Sequence, residues 1–184
     1  MSWQKNLRMD LGYRFFGNSF ERFFDRGRML KILQQNVPPE FLEKDISDLG
    51  CGDGLTTQRI AKALKAKSVI GYEFNKFLLN KAEQRGLSVK QWDLDQGVPT
   101  GELAVIWGVI HHLEDQETFL KKLKQNFRYA VIREPLKRWH SFLDGGEPKA
   151  KEDWIKLFNN TLGDCQFIES GDNIYVFWKR KQSN

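Results

Sequence analysis

Short apolar runs alternate with stretches of helical periodicity from residue 45 to residue 179. The short runs predict β-strands, whereas apolar residues that recur every three or four positions predict amphipathic helices. Asn75 is expected to cap the second of these helices, and Gly86 to follow its end. Strands are predicted over residues 45–50, 68–74, 88–93, 103–109, 129–133, 165–169 and 173–179, and helices over residues 55–66, 75–85, 115–126 and 150–162.

The order of these elements predicts the fold class. Strands that alternate with helices need crossover connections, which make the strands parallel and place helices on both faces of the sheet. The last two strands are joined only by Ser170-Gly171-Asp172-Asn173, which is too short for a crossover and predicts an antiparallel hairpin. We therefore expect an α/β, Rossmann-like, doubly wound sheet of seven mostly parallel strands, with a C-terminal hairpin and an extra N-terminal helix.

The segment before the first strand is aromatic and basic. Asn18-Ser19-Phe20-Glu21 has the pattern of a capping box at a helix start, and Pro38-Pro39 ends the helix because proline lacks a backbone donor. Two interpretations stay open: a helix that packs its aromatic residues on the core, or one that binds a membrane surface or nucleic acid. The acidic residues Asp10, Glu21 and Asp25 weaken the second interpretation.

Composition agrees with one globular domain. Of the 184 residues, 40% are hydrophobic and 13% aromatic, which is enough for a substantial core. We expect a single domain over residues 1–184, in which residues 1–40 form a helical lid on a core of residues 45–180. The net charge of +5 would help attract an anionic partner, but it does not identify nucleic acid.

Several functional classes are disfavoured by what the sequence contains. It has no apolar run long enough to span a membrane, and Met1–Arg8 lack the apolar stretch of a secretory signal. Two cysteines and three histidines have no zinc-site spacing. We expect a reduced, cytoplasmic protein without a metal ion and without membrane contact.

The sequence from Asp48 to Gly54 combines a strand end with three glycines at alternate positions. Glycine allows unusual backbone dihedrals and lets a ligand approach the backbone without meeting a Cβ. The loop follows the first strand, where open α/β sheets bind ligands at a switch in strand order. Its GxGxG spacing lacks the third glycine of the dinucleotide fingerprint, and no GK[ST] follows to hold a nucleotide phosphate.

These residues resemble the first motif of the class I S-adenosylmethionine-dependent methyltransferases, and the resemblance continues through about residues 45–134. It implies S-adenosylmethionine as cofactor and S-adenosylhomocysteine as product. It also implies that Glu73 binds the ribose, Asp93 the adenine amino group, and Trp107 lies beside the methionine part. The implied cofactor-binding residues are Asp48, Gly50, Cys51, Gly52, Gly54, Glu73, Phe74, Asp93, Leu94 and Trp107.

Four of these side chains have simpler interpretations as well. Glu73 or Asp93 alone would pass for an ordinary surface acid, and only their places at successive strand ends favour cofactor binding. Trp107 would equally suit the core of a buried strand. Cys51 is expected to be an inert spacer rather than a nucleophile, because it is small and predicted to be buried.

The methyl acceptor is expected on the far side of the cleft. His111 and His112 follow the fourth strand, where they would orient a substrate or accept its proton, or instead bond to backbone. The segment from Pro135 to Gly146 mixes cations with aromatic residues and is a candidate substrate loop, although a solvated connection is the simpler interpretation. Tyr13, Arg14, His111, His112 and Arg138 are the substrate-side candidates.

Residues 84–134 are most similar to the MetW-like branch of this superfamily and to methyltransferase type 11 domains, on the strength of segments such as His112-Leu113-Glu114-Asp115. A small-molecule methyltransferase is the favoured function. An RNA or protein methyltransferase is the second, and a cofactor-binding partner protein with little turnover, which would need a protein partner, is the third. The fourth strand is not followed by an Asn/Asp-Pro-Pro-aromatic motif, which disfavours the adenine-N6 and glutamine methyltransferases.

Overall fold

The computed structural model describes residues 20–137 and 146–181, and side chains within those ranges from residue 27 onward. A seven-stranded sheet in the order β3-β2-β1-β4-β5-β7-β6 forms its centre. Strands β1 to β5 are parallel, and β7 is antiparallel to both β5 and β6. The strands are β1 Asp45–Leu49, β2 Ser68–Glu73, β3 Ser88–Gln91, β4 Leu103–Trp107, β5 Tyr129–Pro135, β6 Cys165–Ser170 and β7 Asn173–Lys179.

Helices cover both faces of this sheet. Helix α1 (Phe20–Asn36) and helix α2 (Leu55–Ala63) contribute Met29, Leu33 and Ile60 to one apolar cluster, and α3 (Lys76–Gln84) packs beside them through Ala82. The cluster on the opposite face includes Leu120 from α4 (Gln116–Asn126) and Trp154 from α5 (Lys151–Thr161). The α-helices are α1 Phe20–Asn36, α2 Leu55–Ala63, α3 Lys76–Gln84, α4 Gln116–Asn126 and α5 Lys151–Thr161, with short 3-10 helices at Pro39–Phe41 and Ile110–His112.

The predicted fold class is confirmed, since the sheet is mostly parallel and doubly wound, and the last two strands form an antiparallel hairpin at one edge. Asn75 caps α3 as expected: its side chain accepts a hydrogen bond from the backbone N–H of Leu78 at 3.1 Å. Gly86 has the positive φ of 80° that a glycine after a helix supplies. The predicted strand over residues 103–109 ends earlier, at Trp107, because Gly108 has a φ of 73° and turns the chain.

Helix α1 runs from the carboxyl edge of the parallel strands towards their amino edge. Arg28 and Ile32 lie near the β6–β7 turn, at the edge where β5 ends, whereas Phe41 packs on Tyr129 and Phe177 near the start of β5. The proposed cap at Asn18 lies outside the described residues. Among the residues that are described, no helix is both long and apolar enough to cross a bilayer.

Candidate functional site

A cleft lies at the carboxyl ends of the strands where the strand order reverses, between β1 and β4. It encloses about 700 Å³ of space, part of which is open to solvent. This is where open α/β sheets bind ligands. Of the ten residues that the sequence assigns to a cofactor, the cleft is lined by Gly50, Gly52, Glu73, Phe74, Asp93, Leu94 and Trp107.

The glycines of the first loop fill two different needs. A Cβ on Gly50, whose φ is 86°, would lie 2.6 Å from a methyl carbon of Val109, so glycine lets the loops after β1 and β4 approach each other across the cleft floor. Gly52 also has a positive φ, of 57°, but a Cβ there would meet no atom within 4 Å. Gly52 therefore leaves open space in the cleft wall, as a backbone approached by a ligand would.

Glu73 ends β2 and places its carboxylate in the cleft wall. One carboxylate oxygen accepts a hydrogen bond from the backbone N–H of Gly52 at 2.9 Å, and the other accepts from that of Asn75 at 2.8 Å. Burial raises the pKa of Glu73, and these backbone hydrogen bonds oppose the rise. Because each ionised oxygen has two lone pairs, the fixed carboxylate can still accept hydrogen bonds from ligand hydroxyls.

Asp48 lies behind the glycine loop rather than in the cleft lining. One of its carboxylate oxygens accepts a hydrogen bond from the Thr57 hydroxyl at 2.6 Å, and the other is buried with no hydrogen-bond partner among the described residues. The pKa of Asp48 is raised to about 7, mainly by burial. The Thr57 hydrogen bond opposes this rise, and the nearby charge of Glu73 contributes to it. Asp48 is thus a neighbour of the cofactor cleft that titrates near neutral pH.

Cys51 and Gly54 also face away from the cleft. The thiol of Cys51 packs on Gly71, where a Cβ would lie 2.6 Å from the sulfur. Burial raises the pKa of this thiol, which agrees with an inert spacer rather than a nucleophile. Gly54 precedes α2 with a φ of 78° and packs against Ala82 of α3.

The loop after β3 forms the opposite wall. Asp93 holds this loop through a hydrogen bond from the backbone N–H of Asp95 to its Oδ1 at 3.0 Å, and it still lines the cleft. Leu94 lies beside it. The ring of Trp92 is partly exposed and contacts Tyr72 edge-on, with 5.9 Å between the ring centroids. Phe74, Leu78 and Trp92 give this wall an apolar, aromatic character.

Trp107 ends β4 and is both a cleft residue and a packing residue. It lines the cleft and contacts the ring of Tyr175 edge-on, with a centroid distance of 5.8 Å. Trp107 thus packs against β7 and also lines the cleft, and its contact with a cofactor stays a prediction.

The two histidines after β4 have different surroundings. His111 is 3% exposed, does not line the cleft, and has its Nδ1 2.6 Å from a carboxylate oxygen of Glu134. Glu134 is fully buried and also accepts hydrogen bonds from the backbone N–H groups of Val109 and Ile110, each at 2.9 Å. His112 does line the cleft, and its ring lies against that of His111 at a centroid distance of 3.9 Å.

Glu134 was not among the residues that the sequence analysis assigned to the site. Its side chain fixes the turn that carries Val109 and the histidines, so it positions cleft residues without lining the cleft. The available signal was an acid at the end of the fifth strand, directly beside Pro135. Gly146, on the chain that returns to α5, packs against both histidine rings. Tyr13, Arg14 and Arg138 lie outside the described residues.

Metal ligation finds no support in the ranges the structure describes, where no three His, Cys, Asp or Glu side chains cluster closely enough to hold an ion. The polar groups of the cleft include instead carboxylates, backbone N–H groups and the His112 imidazole.

Comparison with known proteins agrees with this geometry. Residues 47–128 match a family model described as a methyltransferase domain. This range begins at β1 and includes the glycine loop, Glu73, Asp93, Trp107 and both histidines. A search of curated proteins by sequence gave no match.

Solved structures resemble the whole described fold. A Thermotoga maritima S-adenosylmethionine-dependent methyltransferase superposes with a TM-score of 0.68 at 17% identity, covering 92% of this chain and 98% of that one. Magnesium protoporphyrin IX methyltransferase from Synechocystis, solved with bound S-adenosylhomocysteine, gives 0.67 at 13% identity, with coverages of 97% and 95%. A chain of the Haloferax volcanii complex between the Trm112 methyltransferase activator and a methyltransferase gives 0.66 at 10%, with 83% and 88%. At these identities the likeness is one of fold.

Proposed function

We propose that this chain is a class I S-adenosylmethionine-dependent methyltransferase, that it binds S-adenosylmethionine in the cleft between β1 and β4, and that it methylates a small molecule. The observation that carries the proposal is the pairing of Gly52 with Glu73. Gly52 leaves room for a ligand at the cleft wall, and its N–H holds the Glu73 carboxylate at the same place.

The residues of the cleft fit the chemistry of this cofactor. The Glu73 carboxylate has lone pairs for the two ribose hydroxyls, and Asp93 has them for the adenine amino group. The side chains of Phe74, Leu78 and Leu94 supply apolar walls for the adenine ring. When bound, S-adenosylmethionine supplies an electrophilic methyl group, which an acceptor lone pair takes as the carbon–sulfur bonding pair passes to sulfur and leaves S-adenosylhomocysteine.

The chain itself would bind and orient the cofactor and the acceptor, and exclude water from them. A well-oriented reactant pair can lower a barrier by roughly 7–11 kcal/mol, so positioning is the main task of such a site. We expect Trp107, which lines the cleft, to contact the cofactor cation, and such contacts contribute about 0.5–2 kcal/mol. We expect the His112 imidazole, also in the cleft lining, to take the proton that the acceptor releases.

Calorimetric titration tests the cofactor assignment. We expect S-adenosylmethionine and S-adenosylhomocysteine to bind one equivalent each, and NAD not to bind, because the loop lacks the dinucleotide glycine spacing. Binding of NAD with no response to S-adenosylhomocysteine would contradict the proposal.

A further inference from the structure

A second pocket opens at the same edge of the sheet, between α1 and the β6–β7 turn. Its cavity volume is about 190 Å³, which is smaller than the roughly 300–1,000 Å³ typical of ligand pockets and suits only a small molecule. Its lining includes Arg28, Met29, Ile32, Asp172, Asn173 and Tyr175.

Asn173 gives this pocket an unmet need. The residue is 6% exposed, and its side-chain Oδ1 is buried with no hydrogen-bond partner in the part of the chain that the structure describes. Leaving a buried polar atom without a hydrogen bond costs free energy of folding, and most buried polar atoms in folded proteins are hydrogen-bonded. An N–H or O–H group of a ligand in the pocket would satisfy it.

The rest of the lining narrows the ligand class. Arg28 lies at the exposed rim, and a guanidinium pairs well with a planar carboxylate. Met29, Ile32 and Tyr175 supply apolar surface between these polar groups.

One pair of rings lies between this pocket and the cofactor cleft. Tyr175 lines the second pocket, Trp107 lines the cleft, and the two rings are in edge-on contact. The two rings therefore separate the second pocket from the cleft, and a ligand in the pocket would lie behind the Trp107 wall.

We propose that this second pocket is a binding site for a small organic acid carrying a hydroxyl or amine group: Arg28 binds its carboxylate and Asn173 accepts from its donor. This binding site is separate from the cofactor cleft and is tested independently of it.

The test follows the side-chain amide signal of Asn173 by nuclear magnetic resonance, assigned from its loss in Asn173→Asp. The probe is para-hydroxybenzoate, titrated into the full chain with and without S-adenosylhomocysteine. We expect the Asn173 signal to shift on titration. Benzoate, which lacks the hydroxyl, should shift it less, and para-hydroxybenzamide, which lacks the charge, should bind more weakly.

Matched variants on α1 isolate the charge. Arg28→Gln should weaken para-hydroxybenzoate binding by roughly 10-fold, the loss of one charge-assisted contact. Lys31→Gln, at an exposed position on the same helix that does not line the pocket, should leave binding unchanged. Binding of para-hydroxybenzamide should be the same in both variants, since it has no carboxylate for Arg28.

The outcomes separate this inference from the proposed function. No shift at Asn173, or equal weakening by the two α1 variants, would overturn this binding site even if S-adenosylhomocysteine binds normally. Failure of S-adenosylhomocysteine to bind would overturn the proposed function, whereas a shift at Asn173 would still establish a pocket for hydroxy acids.

Discussion

The buried carboxylates on the two sides of the Trp107 end of β4 are held in different ways. On the cofactor side, Asp48 has one oxygen without a partner among the described residues, and burial raises the pKa values of both Asp48 and Glu73. On the other side, Glu134 is completely buried, but it accepts two short backbone hydrogen bonds and contacts His111. Partners within the protein therefore satisfy Glu134, whereas one oxygen of Asp48 has none among the described residues.

Glu134 is occupied by the protein and fixes the turn after β4, whereas Glu73 lines the cleft and keeps lone pairs beyond its two backbone hydrogen bonds. Accepting capacity of this kind is kept where a ligand needs it. Asp48 lies behind the glycine loop, and its pKa responds to the nearby charge of Glu73.

Asp48→Asn should change how stability depends on pH. The pKa of Asp48 is about 7 in the folded protein against 3.8 in the unfolded chain, so between these values the folded state binds more protons. The free energy of unfolding of wild type should then fall as pH rises through this window. Relative to Asp48→Asn, we expect a fall of roughly 4 kcal/mol between pH 3.5 and pH 8, measured by urea denaturation.

Asp115 supplies a control of opposite sign. It caps α4, and the hydrogen bond from the Thr118 N–H lowers its pKa, so its contribution to stability is present above the unfolded pKa and is lost as pH falls. The free energy of unfolding of Asp115→Asn should therefore be lower than that of wild type at higher pH, and equal to it at low pH. Parallel pH profiles for Asp48→Asn and wild type would show that Asp48 is not held at raised pKa.

Gly52→Val should reduce S-adenosylhomocysteine affinity by about 100-fold or more, because the side chain would occupy ligand space in the cleft wall. Gly86→Val is the matched control. Both glycines have positive φ and open space at the Cβ position, but Gly86 does not line the cleft. Both variants should lose similar stability from backbone strain, and only Gly52→Val should lose binding in calorimetry. Equal affinities would remove the loop from the cofactor site.

The contrast between the two sides also explains what the sequence could predict. The glycine loop, Asn75 and Gly86 act locally, so spacing along the chain was enough to predict them. The parallel direction of most strands followed from the alternation of strands and helices, and the location of the cleft from the glycine loop after the first strand. The cofactor side is assembled from strand ends in one continuous pattern, and most of its predicted residues do line the cleft.

The other side depends on residues far apart in the chain. Arg28, Glu134 and Asn173 come from α1, the end of β5 and the start of β7, and no local pattern connects them. The sequence also could not show which way a loop side chain points: Asp48, Cys51 and Gly54 lie behind the cleft wall, and His111 is turned to Glu134 while His112 lines the cleft. Their assignment to cofactor or substrate stays a prediction.

Glu73→Gln should weaken S-adenosylhomocysteine binding by about 10-fold, since a neutral amide oxygen is a poorer acceptor for the ribose hydroxyls. This variant is sharper than Glu73→Ala because an acceptor oxygen remains for one of the two backbone N–H groups that Glu73 binds. Glu83→Gln, on the exposed surface of α3, is the control. Unchanged affinity in a normally folded Glu73→Gln protein would show that another acid binds the cofactor.

The smallest expected effect concerns the N-terminal segment as a lid. Arg28 of α1 already lies at the carboxyl edge, and at about 1.5 Å per residue the stretch from Phe20 to Arg28 extends the helix roughly 12 Å further. We expect a segment beginning there to reach the cleft mouth and exclude water from it.

Hydrogen exchange with and without S-adenosylhomocysteine should show a few-fold slowing over residues 10–24, beside stronger protection at residues 48–54. Deletion of residues 1–17 should spare most of the thermal stability and abolish the slowing in the remaining part of α1. Exchange that is unchanged over residues 10–24, with clear protection at residues 48–54, would instead place this segment away from the cleft and leave the acceptor side bounded by α1 alone.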